Sequence, residues 1–159
     1  MSSRRSFLDD DDEKILNFLQ DDCRTPLNDL AEKLGMPKST IYYRIKRLEE
    51  EGIIEGYHAN LNAQKLGYDL LVVVNIRATF GPGYHEKIGE KLSKLPGVFG
   101  VYFIYGESDF IVLLRGKDRE ELFDKMKNIY DLEGIERVNT NVVTKIIKED
   151  HRILFHSKK

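Results

Sequence analysis

Apolar positions along this chain fall into two textures, and the change between them divides it. Up to about residue 60 they recur at helical spacing: Ile15, Leu16, Phe18 and Leu19, then Leu27, Leu30, Ala31 and Leu34 at i, i+3, i+4 and i+7, then Ile41, Ile45 and Leu48. Three short amphipathic helices are predicted. From Tyr68 onward the runs become β-branched and strand-like, beginning with residues 70–80 (LLVVVNIRATF), a strand of the buried kind. Ile88, Leu92 and Leu95 then predict a helix over residues 84–95, ended by Pro96 and Gly97. Residues 98–105 and 110–115 read as two strands joined by the tight connection 106–109, and Asp118 opens a helix with Leu122, Phe123, Met126 and Ile129 inward. Residues 135–147 make a last long strand, and residues 152–155 a short edge piece. The order βαββαβ predicts an α+β, ferredoxin-like sandwich with both helices on one face of an antiparallel sheet. Nothing in the chain covers the other face, so a second copy is expected there.

The first texture carries a more specific signal. Gly35 supplies a left-handed residue to close the second helix, and Pro37 fits the first turn of the third, where a missing N–H costs nothing. Two short helices across a tight glycine turn form a helix-turn-helix signature, whose second helix enters the DNA major groove. Opposite its aliphatic stripe that helix shows Ser39, Tyr42, Tyr43 and Lys46, and residues 38–48 hold four cations and no acid. Ser39, Thr40, Tyr42, Tyr43 and Lys46 are expected on the groove side, with Lys38, Arg44 and Arg47 on phosphates and Arg44, at the edge of the core face, partly structural as well. Residues 53–62 (IIEGYHANLN) alternate weakly around Gly56, as a two-stranded wing would. An ordinary helical hairpin with a solvated charged face is the other reading of the same pattern. The predicted layout is a winged helix-turn-helix DNA-binding domain over residues 1–60, a linker at 61–67, and a ferredoxin-like domain over 68–159.

Composition narrows the classes. At 41% hydrophobic and 33% charged, the chain has the make-up of a soluble globular protein, with no run near the roughly 20 apolar residues of a membrane span. MSSRRS leads into acids, so no secretory signal is expected, and Arg4 and Arg5 either reach a DNA backbone or do nothing. The single Cys23 rules out an intramolecular disulfide and fits a cytoplasmic setting. A net charge of −2 argues against indiscriminate coating of nucleic acid and for a small basic docking surface repeated in an oligomer. The acids Asp9 to Glu13 suit the positive end of a helix dipole better than a metal site. His58, His85, His151 and His156 show no metal-ligand spacing, so neither a metal nor a cofactor is expected.

Several stretches together resemble the Lrp/AsnC, or feast/famine, family of transcription regulators: LDDDDEKIL at 8–16, LAEKLGM at 30–36, RIKRLEEEGIIEGY at 44–57, LPGV at 95–98, and GESD at 106–109, which fits that family's GxxD loop. Pro37 departs from the family's serine-type cap. The resemblance implies a non-enzymatic regulator that dimerises through its C-terminal, RAM-type domain, often assembles into octamers, and senses an amino acid between dimers near the GxxD loop. Carried onto this chain, it implies effector contacts by Tyr105, Gly106, Ser108, Asp109 and Thr140, with Asp109 on the α-ammonium. Two rivals share the layout: an architectural DNA-binding protein without effector, and a sirohaem-decarboxylase-like enzyme, which a tetrapyrrole absorbance band would reveal.

Overall fold

A computed structural model of the protein describes residues 8–153 and Phe155; Arg4, Arg5 and His156 lie outside the described residues. The chain divides into two compact units, one reaching up to Asn60 and resuming at Glu149, the other spanning Leu61–Lys148.

The first unit holds α1 (Asp10–Asp21), α2 (Leu27–Leu34) and α3 (Lys38–Glu50). Asp9 opens α1 through a capping box with Asp12, each side chain accepting from the other's backbone N–H. At the end of α2, Gly35 (φ 64°) turns the chain, and the Met36 N–H donates to the Ala31 carbonyl at 3.1 Å. A side chain at that φ is strained, so glycine is what allows α3 to follow so closely. Pro37 occupies the cap position of α3 itself, with no side-chain cap. Ile15, Leu30 and Ile41, one from each helix, meet at the centre with Phe18, Leu27 and Ile45 packed around them. Truncating such a fully buried leucine or isoleucine to alanine costs about 2–5 kcal/mol, because the cavity collapses only partly.

Two expectations fail after α3. Residues 51–60 carry no strand, so the wing is an irregular segment. The Ile53 and Ile54 N–H groups both donate to the Leu48 carbonyl, and the Tyr57 hydroxyl donates to Glu49, tying the chain to the helix end instead of to itself. Of the edge piece expected at 152–155, residues 152, 153 and 155 carry no strand, and Leu154 lies outside the described residues. Gln20 exchanges two hydrogen bonds with the Ile153 backbone, and Arg152 pairs with Asp21.

The second unit opens with a 3-10 turn, Gln64–Leu66. It continues as β1 (Leu70–Ala78), α4 (Tyr84–Ser93), β2 (Val98–Phe103), β3 (Phe110–Gly116), α5 (Arg119–Tyr130) and β4 (Ile135–Val142). The sheet is antiparallel in the order β2-β3-β1-β4. Val72, Val74 and Ile76 of β1 and Phe110, Val112 and Leu114 of β3 point to the helix side, where Ile88, Leu92, Met126 and Ile129 seal them. By alternation, Leu71, Val73, Asn75 and Arg77 face the other way, with Ile111, Leu113 and Arg137 beside them. β4 ends at Val142, short of the expected residue 147; the Val143 N–H still donates to the Leu71 carbonyl, and in this register the last residue of β1, Leu70, falls opposite residue 144. Among the described residues no helix is long and apolar enough to cross a membrane.

Candidate functional site

The sequence of α3 separates its two sides. Ile41 and Leu48 are fully buried, whereas Tyr42 and Tyr43 are 51% and 71% exposed, their rings edge to face at 5.8 Å. Ser39, Lys38 and Lys46 share the exposure and Thr40 is half-buried. Lys46 has one weak partner, Glu50 at 3.9 Å, and Lys38 has none among the described residues. The outer surface therefore presents hydroxyls, phenols and two ammonium groups.

Arg44 and Arg47, expected on phosphates, are engaged by carboxylates of the same unit. The Arg44 guanidinium donates to Asp9 at 2.8 Å and to Asp12 at 2.7 Å, with Asp11 at 3.8 Å. Arg47 donates to the second oxygen of Asp12 at 2.6 Å. The Asp12 side chain is 1% exposed, and two arginines offset the cost of its desolvation. Arg44, and then the Asp12 backbone N–H, hold the Asp9 carboxyl below the usual carboxylate range. The acids at the start of α1 thus serve the helix dipole and also clamp α3 across some 35 positions of sequence. The place of Arg44 at the edge of the core face pointed to a structural share for it, and nothing in the sequence named its partners.

In the second unit, residues 104–109 connect β2 to β3. Asp109 is turned inward: its carboxylate accepts from the Ala78 N–H at 2.8 Å and from the Tyr84 hydroxyl at 3.3 Å, and lies 3.6 Å from Arg77 Nε. Its side chain is 13% exposed. That geometry makes it a brace of the loop, its oxygens already engaged within the chain where an ammonium was expected. Tyr105 stands 95% exposed, and Gly106, at φ 155°, uses a conformation that other residues avoid. Arg77 fixes the loop from below, donating to the Gly106 and Glu107 carbonyls at 3.1 and 3.4 Å. Thr140, expected among the effector contacts, lies apart from the loop. Paired with Val74, it faces the helices, its hydroxyl 4.0 Å from Met126 Sδ, away from the loop's open side.

Beside the loop, on the face without helices, lies a concavity of about 350 Å³ lined by Asn75, Arg77, Glu107, Ser108, Arg137 and Asn139, among others. Of the residues expected at an effector site only Ser108 lines it, while Gly106 borders the shallower groove next to it. Alternation in NIRA and RVNTN, which sets Asn75, Arg77, Arg137 and Asn139 opposite the apolar residues, was the available signal. No three His, Cys, Asp or Glu side chains among the described residues gather as a metal site.

A family model described as winged helix-turn-helix DNA-binding matches residues 8–55, and one described as the Lrp/AsnC ligand binding domain matches residues 71–153. The HTH-type transcriptional regulator FL11 of Pyrococcus furiosus is 37% identical over 145 residues, covering 91% of this chain and 95% of that protein. Among solved structures, an AsnC family transcriptional regulator from Agrobacterium tumefaciens superposes with a TM-score of 0.86 at 28% identity, over 92% of this chain and 97% of that one. A feast or famine regulatory protein from M. tuberculosis, complexed with L-methionine, gives 0.79 at 26% identity over 91% and 97%.

Proposed function

Since this chain belongs to the Lrp/AsnC family of DNA-binding transcriptional regulators, we propose that it reads double-stranded DNA with α3 and answers to an amino acid held beside the Gly106 loop. One observation carries the first half: the aliphatic stripe of α3 is sealed in a core while Tyr42, Tyr43 and Lys46 stand in solvent. Ser39, Thr40, Tyr42, Tyr43 and Lys46 meet base edges, Lys38 meets a phosphate, and Arg44 and Arg47 act by positioning the helix. The tyrosine rings suit thymine methyl groups, which favours A·T-rich sites.

The apolar part of the uncovered sheet face, Leu71, Val73, Tyr102, Ile111 and Leu113, supports a homodimer closed by a second copy. Two copies of α3 then meet half-sites about 34 Å apart or a multiple of it. Assembly of dimers into octamers belongs to the same proposal, as does a cytoplasmic location. An effector shifts such an assembly only through its differential affinity for two arrangements. A related regulator complexed with L-methionine supports an amino acid in that role.

Fluorescence anisotropy on a duplex selected from a random pool tests the DNA half. Lys46→Ala and Tyr43→Ala should each weaken the selected duplex about tenfold, roughly 1–3 kcal/mol per lost base contact, and a random duplex less. Unchanged binding by both variants would overturn the assignment of the outer face. Calorimetry and light scattering across the twenty amino acids test the effector half. Silence from all of them favours an architectural DNA-binding protein.

A further inference from the structure

We infer that Arg137, on the uncovered face of β4, takes the α-carboxylate of the amino-acid effector, and that Glu107 and Glu136 on the rim of the same groove take its α-ammonium. The inference rests on the amino-acid reading above and assigns the charged contacts within it.

Three observations carry it. First, Arg77 and Arg137 are direct cross-strand partners, and like charges in that relation destabilise a sheet. Arg77 is relieved by Asp109 and by the Gly106 and Glu107 carbonyls. Arg137 has no hydrogen bond or ion pair among the described residues. It is therefore a cation held next to another cation with its donor fork free, which is what recognition of a carboxylate asks for. Second, the row beside it repeats the anomaly: Asn75 pairs with Asn139, in strands whose other outward residues include Leu71 and Val73. Asparagine is disfavoured in strands, so two polar rows in succession mark a place where local preference yields to function. Third, these side chains surround a concavity of about 350 Å³, near the lower end of the roughly 300–1,000 Å³ found for small-ligand sites. It adjoins a shallower groove where Glu107 and Glu136 stand with Arg77 and Arg137. A site carrying both signs matches a zwitterion, whereas a simple anion would meet two carboxylates there. Asp109 and Thr140, the other groups that chemistry would nominate, are taken up by Ala78, Tyr84 and Arg77 on one side and by Met126 on the other.

The test is calorimetry on the full chain with the twenty L-amino acids and, for each that binds, its carboxamide and its decarboxylated amine. Wild type should bind the acid about 10- to 100-fold more tightly than either analogue, the range expected for a hydrogen-bonded charge. Arg137→Gln should lose the acid by the same factor and cease to distinguish acid from amide, while Arg137→Lys recovers part of the preference. Melting curves matching wild type show that the variants fold. Arg137→Gln that still prefers the acid as wild type does overturns the inference and leaves the amino-acid reading standing. Acetate or inorganic phosphate binding wild type as tightly as the best amino acid overturns the zwitterion assignment. No heat from any amino acid with wild type removes the reading beneath, and the inference with it.

Discussion

Asp12 and Asp109 occupy matching situations in the two units. Each carboxylate is largely closed off from water and each accepts a backbone N–H; Asp12 lies beside two arginines, and Asp109 beside Arg77, whose cross-strand partner is Arg137. They differ in how the charge is balanced. Asp12, with Asp9 behind it, engages both Arg44 and Arg47, so the charges of the first unit's ion network are answered within it, although Arg47 Nε is buried without a hydrogen-bond partner. Asp109 reaches Arg77 alone, and Arg137 is left over. The comparison teaches that a motif rich in cations is not thereby a cationic surface: what the fold neutralises becomes architecture, and only the remainder is available to a partner.

The largest test of this contrast is stability. Asp12→Ala leaves two guanidinium groups facing each other in a half-buried place. We expect a loss of about 2–4 kcal/mol, below the 3–5 typical of a fully buried pair because Arg47 keeps some contact with water. Asp109→Ala forfeits the Ala78 bond and should cost about 1–3 kcal/mol. Urea unfolding of the full chain, followed by circular dichroism, ranks the two. Equal losses would break the comparison.

A second test reads the balance from DNA. Four phosphate contacts per subunit, as the cation count over residues 38–48 alone implies, give a dimer a slope of log K against log salt near −7 at roughly 0.9 per phosphate. With Arg44 and Arg47 tied to α1, two cations remain to displace counterions, Lys38 at its phosphate and Lys46 reaching past the phosphates into the groove, and the slope should lie near −4 by the same rule. A value near −7 returns both arginines to the duplex. Lys46→Ala should lower the magnitude by about 2 for a dimer.

The same contrast explains which features could be read from sequence. The helix-turn-helix was visible because i, i+3, i+4, i+7 spacing and a closing glycine are local signals, and Leu27 to Leu34 with Gly35 supply both. The βαββαβ order was visible in its runs of Val, Ile and Leu. The clamp from Asp12 to Arg47 was not, since it joins residues brought together only by packing of α1 on α3. The direction of Thr140 depends on which neighbour β4 pairs with, and a one-residue change of register would have turned it to the loop. How far β4 could run was bounded by the start of β1 at Leu70, a property of another segment. For the wing, weak alternation around Gly56 competed with carbonyls at the end of α3, and the carbonyls prevailed.

The smallest expected effect isolates one member of the closed network. Arg44, ahead of the backbone N–H of Asp12, holds the Asp9 carboxyl below its ordinary 3.8. A carboxylate depressed in the folded state stabilises that state fully above the unfolded value, and the benefit fades as pH falls through the folded one, because the unfolded chain takes up the proton first. The first unit should therefore lose stability as pH drops from about 5 toward 2, and Asp9→Asn should flatten part of that decline while leaving the profile between about 6 and 8 unchanged. Other carboxylates contribute to acid unfolding as well, so the informative quantity is the difference between the two profiles below about pH 4. Asp9 is more than half exposed, which keeps that difference modest and open to screening. Raising the salt should therefore shrink it. A difference insensitive to salt would mean that Asp9 acts through its cap on α1 and that Arg44 relies on Asp12 alone.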